Sequence, residues 1–303
     1  MDSVTFWSLD QDMSASAAAQ LLREVLEQKR RRGTSHVRVT EDDLAKLRQV
    51  RVREGGRVSE ARAEERAEMS RMAEPPPVET PSPILQVSGR TKEERLAQLA
   101  GMAEEATAPR ALGTLRDTMV FAVGNPEAEI MLIGEAPGYE EERQGEPFVG
   151  PAGQRLTKIL KAMGLNRADV YISNICKFRP ATDAGPNQGT RNRPPTKEEM
   201  AACLPFVQTE IDIVQPKVII ALGKTAADGL GIEGSVGSIR GRFHEFQGIP
   251  TMVTYHPSYI LRSESDADGG MKAKSQVWSD MLQVMEQVGM PISAKQRGYF
   301  KGS

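Results

Sequence analysis

The chain has 303 residues, 39% of them hydrophobic, 26% charged and 5% aromatic, with a formal net charge of −2. That length serves one large domain or a domain with an extension, and the bulk charge argues neither for nor against nucleic acid. Cys176 and Cys203 are the only cysteines, which excludes a disulfide framework and a four-thiolate metal or iron–sulfur site within one chain.

The N-terminus is acidic, with no basic segment leading into an apolar run. No apolar stretch nears the roughly 20 residues of a membrane helix, so a cytoplasmic protein is expected. Residues 14–31 carry Leu21, Leu22, Val25 and Leu26 at helical spacing before a Gly33-Thr34-Ser35 stop, and Thr40 offers a cap for a second short helix. The run Lys29-Arg30-Arg31-Arg32, with Arg48, Arg51 and Arg53 beyond it, could track phosphates or bind a protein partner. A solvated helix end is the simpler account. Met72–Ser88 then holds five prolines and almost no periodicity, the composition of an extended linker. The expected organisation is a helical or partly disordered extension over 1–71, a linker over 72–89, a domain over 90–290 and a tail over 291–303.

From residue 90 the pattern is regular. TKEERLAQLAGMAEEA reads as a helix with Leu96, Leu99 and Met102 on one face, and the apolar run 128–134 ending at Gly134 suits a strand buried on both sides. Pro151 and Gly164 bracket a helix containing Leu156, Ile159, Leu160 and Met163. A strand at 170–176 precedes a capping box, Thr196 to Glu199, which opens a helix to about Val214 despite Pro205. A third buried strand spans 217–223, two short strands lie within 242–255, and a last helix runs from about 272 to 288. Strands alternating with helices predict a three-layer α/β/α domain with a central, mainly parallel sheet of four to five strands.

Ligands of open parallel sheets bind beyond the carboxyl ends of the strands. Those ends carry Gly134-Glu135-Ala136-Pro137-Gly138, Asn174, Gly223-Lys224 and His256-Pro257-Ser258. The glycine-flanked turn lets backbone N–H groups approach an anion or carbonyl, and Asn174 has the donor pair and acceptor that an amide-like edge requires. Phe148 stands in a loop, where an aromatic must pack or stack. Each has an ordinary structural alternative: a turn, a cap, a satisfied histidine, a core ring.

Taken together, GEAPGYEEERQGEPFVGPAGQRL (134–156), YISNICKFRP (171–180), NRPPTKEEMAAC (192–203), PKVIIALGKTA (216–226) and TYHPSYILR (254–262) resemble the family-four uracil-DNA glycosylases, over about 110–288. The resemblance implies hydrolysis of the N-glycosidic bond of a uracil flipped out of DNA. The base would stack on Phe148 and be read by Asn174 at its O4/N3 edge. Gly134 and Ala136 would line the pocket. His256 and turn N–H groups would meet charge developing on O2, and Glu135 would position water or stabilise the sugar cation. Lys224, Ser258, Tyr259 and Arg262 would contact DNA, with Tyr259, Ile260 and Leu261 as fillers wedged into the duplex.

The departure lies in the cluster. Family-four enzymes hold a four-iron, four-sulfur cluster on two cysteines upstream of the first strand, one in a KCRP motif and one ending the EExxxC segment. Here the motif reads Lys177-Phe178-Arg179-Pro180, residues 100–116 lack cysteine, and only Cys203 matches. Cys176 lies two residues early, a displacement of roughly 7 Å in an extended chain. No cofactor and no metal are therefore expected, with apolar packing around Phe178 in place of the cluster. The insertion ATDAGPNQGTR (181–191) is polar and is expected to hang in solvent rather than reach DNA. The rival reading is a catalytically weak or inactive superfamily member acting as a DNA-binding or replication-associated adaptor through residues 1–90. A Rossmann-type nucleotide hydrolase lacks its phosphate loop.

Overall fold

The computed structural model describes residues 84–182 and 185–300. The expected N-terminal helices, the basic run and most of the proline-rich linker lie outside those residues. The last linker residues, 84–89, form neither helix nor strand, yet Leu85 and Val87 pack against the core and the Leu85 amide donates to Thr209 Oγ1 at 2.9 Å.

The first element is helix α1 (Lys92–Glu104), capped by Thr91, which accepts from the Glu94 amide. It buries Leu96, Leu99 and Ala103, so the apolar face is turned slightly from the expected one and Met102 is only partly buried. After a short helix, α2 (Thr107–Ala111), come β1 (Leu115–Met119), β2 (Val123–Gly124) and β3 (Ile130–Gly134). Helices α3 (Tyr139–Gln144) and α4 (Pro151–Met163) follow, the latter started by Pro151 and stopped by Gly164 in the left-handed region. A 3-10 turn (Arg167–Asp169) leads into β4 (Tyr171–Asn174) and β5 (Phe178–Pro180), and then α5 (Lys197–Val214). That helix runs through Pro205, with the Thr209 hydroxyl bonded to the Pro205 carbonyl at 2.7 Å. The remaining elements are β6 (Val218–Leu222), α6 (Lys224–Gly229), α7 (Val236–Ile239), β7 (Phe243–Phe246), β8 (Ile249–Thr254), α8 (Pro257–Ser263), α9 (Met271–Gln287) and α10 (Ala294–Gly298).

Among the described residues the main sheet has six strands, ordered β2-β4-β3-β6-β8-β7. The four central strands are parallel, and the edges β2 and β7 are antiparallel. The expected count of four to five missed the two-residue edge strand, which is too short to show a period. Also unforeseen is the antiparallel pair β1 and β5 beside the sheet. Alternation along the strands builds two cores. Met131, Ile133, Ile219 and Ala221 face α1 and α5, whereas Ile130, Leu132, Val218 and Ile220 face α4 and α9. Helices thus cover both faces, as continuous apolar strands require. The carboxyl ends of β3, β4, β6 and β8 open on one edge. No described helix is long and apolar enough to cross a membrane.

Candidate active site

A pocket of about 760 Å³ opens at that edge, in the size range of small-ligand sites. Its lining includes Glu135, Ala136, Phe148, Asn174, Lys224, His256, Ser258, Tyr259 and Arg262, so sequence-distant candidates meet in one place. Gly134 is what lets them meet. It pairs with Asn174 across β3 and β4, and a Cβ there would lie 2.3 Å from Asn174 Oδ1 and 2.4 Å from Phe148 Cζ.

Asn174 is 2% exposed, and its Oδ1 has no hydrogen-bond partner within the protein. A buried acceptor left open costs roughly 1–3 kcal/mol unless a ligand completes it. The backbone behind it is held firmly: Lys177 Nζ donates to the Asn174 carbonyl at 3.1 Å, to Ser173 Oγ at 2.6 Å and to Glu210 at 2.7 Å. Burial pushes the Glu210 carboxyl up against the opposing pull of Lys177.

Phe148 is 6% exposed and adopts φ +57°, a left-handed conformation unusual for an aromatic residue. Its ring stands 5.7 Å from that of His256, tilted 35°. His256 Nδ1 accepts from the Ser258 amide at 3.2 Å and lies 2.8 Å from Ser258 Oγ. With Nδ1 acting as acceptor, the neutral ring carries its proton on Nε2. Burial, with the Arg262 charge adding to it, holds the imidazole down at about 4, so it is neutral near pH 7. Glu135 accepts from Thr225 Oγ1 at 3.1 Å; burial raises its carboxyl, while Thr225 and Arg262 pull it back.

The turn after β3 is pinned by its carbonyls: Gly134 O accepts from the Ile175 amide and Glu135 O from the Cys176 amide, both at 3.0 Å. Pro137 has no N–H, and that of Gly138 goes to Glu141 at 3.2 Å, so the turn N–H groups left to consider are those of Glu135 and Ala136. Glu141, Asn192 and Thr225 were not singled out from the sequence. All three line the pocket, and all three lie within motifs already quoted. The signal for Thr225 was merely its place after Gly223-Lys224.

The loop expected to wedge into a duplex is the helix α8, with His256 as its cap. Ile260 is buried in the core and is no filler, because helical spacing turns it inward. Tyr259 does stand at the mouth, 40% exposed and stacked on Tyr255 at 4.5 Å. Arg262 donates to Ser258 Oγ at 3.2 Å, and Lys224 is paired with Asp228. The insertion is not loose where it is described. Gln188 is buried and bonds the Pro180 and Arg191 carbonyls, while Arg179 reaches the Gly189 and Arg191 carbonyls and Asn192 Oδ1. Gln188 thus spends its side chain on backbone groups at both ends of the insertion, and also accepts from the Thr182 amide.

The sequence of residues 121–282 matches the model of the uracil DNA glycosylase superfamily. The chain belongs to that superfamily. It is 43% identical over 154 residues to the type-4 uracil-DNA glycosylase of Thermotoga maritima, covering 50% of this chain and 76% of that one. With the type-4 enzyme of Archaeoglobus fulgidus it shares 38% over 163 residues, 49% of this chain and 77% of the relative. A type-5 uracil-DNA glycosylase of Pyrobaculum aerophilum is 31% identical over 153 residues, 45% of this chain and 63% of the other. Where four-cysteine members of the superfamily would hold a cluster, the residues do not fit one. Phe178 is fully buried in place of a thiolate, with the Arg110 guanidinium 5.1 Å over its ring. Ala103, Cys176 and Cys203 share that apolar core, and the neighbouring Cys203 thiol together with burial pushes Cys176 well up. Among the described residues no group of three or more His, Cys, Asp or Glu side chains could hold a metal ion.

Proposed function

We propose that this chain is a DNA-repair glycosylase that removes uracil from DNA by hydrolysing the N-glycosidic bond, the first step of base-excision repair. The observation that carries the proposal is the open, buried Asn174 Oδ1 beside the Phe148 ring, in a superfamily whose type-4 members are about 40% identical to this chain. A uracil stacked on Phe148 presents N3–H to that acceptor and O4 to the amide's N–H groups. Cytosine reverses both.

As the bond between the sugar and N1 breaks, its electron pair passes to the base and negative charge grows on O2. Neutral His256 offers Nε2–H to that charge, with the Glu135 and Ala136 amides as further donors. The sugar becomes cationic at C1′, where water adds. Glu135 stands ready to orient that water or to take up its proton. Tyr259 and Arg262, with Lys224 and Ser258 beside them, form the lip that a DNA strand would meet.

No step runs through an iron–sulfur cluster. This reading assigns its structural work to the packed Phe178, Cys176 and Cys203, and a reducing, cytoplasmic setting suits two free buried thiols. The glycosylase domain is taken as 90–290, preceded by the extension and linker. A single-turnover assay on a uracil-containing oligonucleotide tests the proposal. Excision that depends on Asn174 and His256 supports it, whereas tight DNA binding without excision would establish the adaptor reading.

A further inference from the structure

Phe148 keeps a left-handed backbone conformation that is strained for an aromatic residue, so the surroundings must impose it. Three neighbours do so. Gly153, in the first turn of α4, lies so close that a Cβ on it would fall 1.7 Å from the Phe148 carbonyl oxygen. Glu141 Oε1 takes the Val149 and Gly150 amides at 3.0 and 2.9 Å. The third is Arg167, which is outside the pocket lining and belongs to none of the quoted motifs. Its Nη1 donates to the Phe148 carbonyl at 3.0 Å, and its Nη2 to the Pro147 carbonyl at 2.7 Å and to Glu146 at 2.9 Å.

We infer that Arg167 is a positioning residue for base recognition: its guanidinium fork fixes the Glu146–Phe148 backbone and thereby the plane of the Phe148 ring. This rests on the reading of Phe148 as the surface on which the base stacks. The geometry favours such a role over general support. Two adjacent carbonyls are gripped by one planar group, which a lysine ammonium cannot reproduce. Arg167 also opens the 3-10 turn that runs directly into β4, whose last residue is Asn174. One residue therefore joins the segment carrying the ring to the strand carrying the amide.

The test is a double-mutant cycle in the full-length protein, read by single-turnover uracil excision at saturating enzyme, with duplex affinity and thermal melting measured in parallel. Arg167→Ala should slow excision about 10- to 100-fold, the scale of an ångström-sized misplacement, with duplex affinity unchanged. Arg167→Lys should recover little of that loss although it keeps the charge. Arg167→Ala combined with Phe148→Ala should be no slower than Phe148→Ala alone, within about twofold. Losses that multiply, or full rescue by lysine, would overturn the inference and leave the stacking role of Phe148 standing. A wild-type rate in Phe148→Ala would instead overturn that role and the inference with it. Should Arg167→Ala fail to fold, Arg167→Gln, which keeps one planar donor, enters the same cycle with the same expectations.

Discussion

Adding one methyl group at Gly134 should close the pocket while leaving the sheet intact. Gly134 has no positive φ, so alanine fits its backbone without strain, and the whole consequence falls on what the methyl meets. The built Cβ lies 2.4 Å from Phe148 Cζ, 2.7 Å from its Cε2 and 2.3 Å from Asn174 Oδ1. Carbon atoms in contact sit about 3.5–4.0 Å apart, so the ring must retreat by about 1 Å or more, and the amide must turn away. Overpacking of this kind costs roughly 1–3 kcal/mol. In a domain of this size that lowers the melting temperature by about 2–4 °C per kcal/mol, so the protein should remain folded. Misplacing the stacking ring and the reading amide together should slow single-turnover uracil excision by about 100-fold or more. Gly101→Ala serves as control: a Cβ there meets nothing within 4 Å, and excision should match the wild type. A folded Gly134→Ala protein that excises uracil at the wild-type rate would refute the placement of the base between Phe148 and Asn174.

Asn174→Asp keeps the acceptor but removes the donor to O4; most uracil excision should be lost and weak cytosine excision gained, measured on matched oligonucleotides. His256, neutral in the fold and held at about 4 against an ordinary 6.5, binds fewer protons folded than unfolded. Its contribution to stability should therefore be full above pH 6.5 and be lost as pH falls through that window toward 4, amounting to at most about 3 kcal/mol. Glu135, whose carboxyl is raised, acts in the opposite sense, so the comparison is urea unfolding of wild type and His256→Asn from pH 7 to 4; equal slopes would remove the burial argument. Purified protein should be colourless and free of stoichiometric iron, and a brown preparation with broad visible absorption would overturn the packing account at Phe178. Deleting residues 1–80, which spares Leu85 and Val87, should leave a soluble domain with excision intact; loss of folding or of excision would move the domain boundary.

Much of this molecule could be read from local pattern. Continuous apolar runs at β3 and β6, the Pro151 start and Gly164 stop of α4, and the Thr196 capping box all declare themselves within a few residues, because propensity and capping are short-range effects. The parallel-sheet rule then names the strand ends, and it is this rule that points to Glu135, Asn174 and His256 as candidates. The remaining features depend on contacts between distant segments. No local signal directs Gln188 and Arg179 to hold the insertion or brings Arg167 to the Phe148 carbonyl. Nor does the sequence show that Gly134 is bare because two other segments approach it. Side-chain identity sets which groups can act, but the distances that make a pocket of them arise only when separate strands and helices share one core.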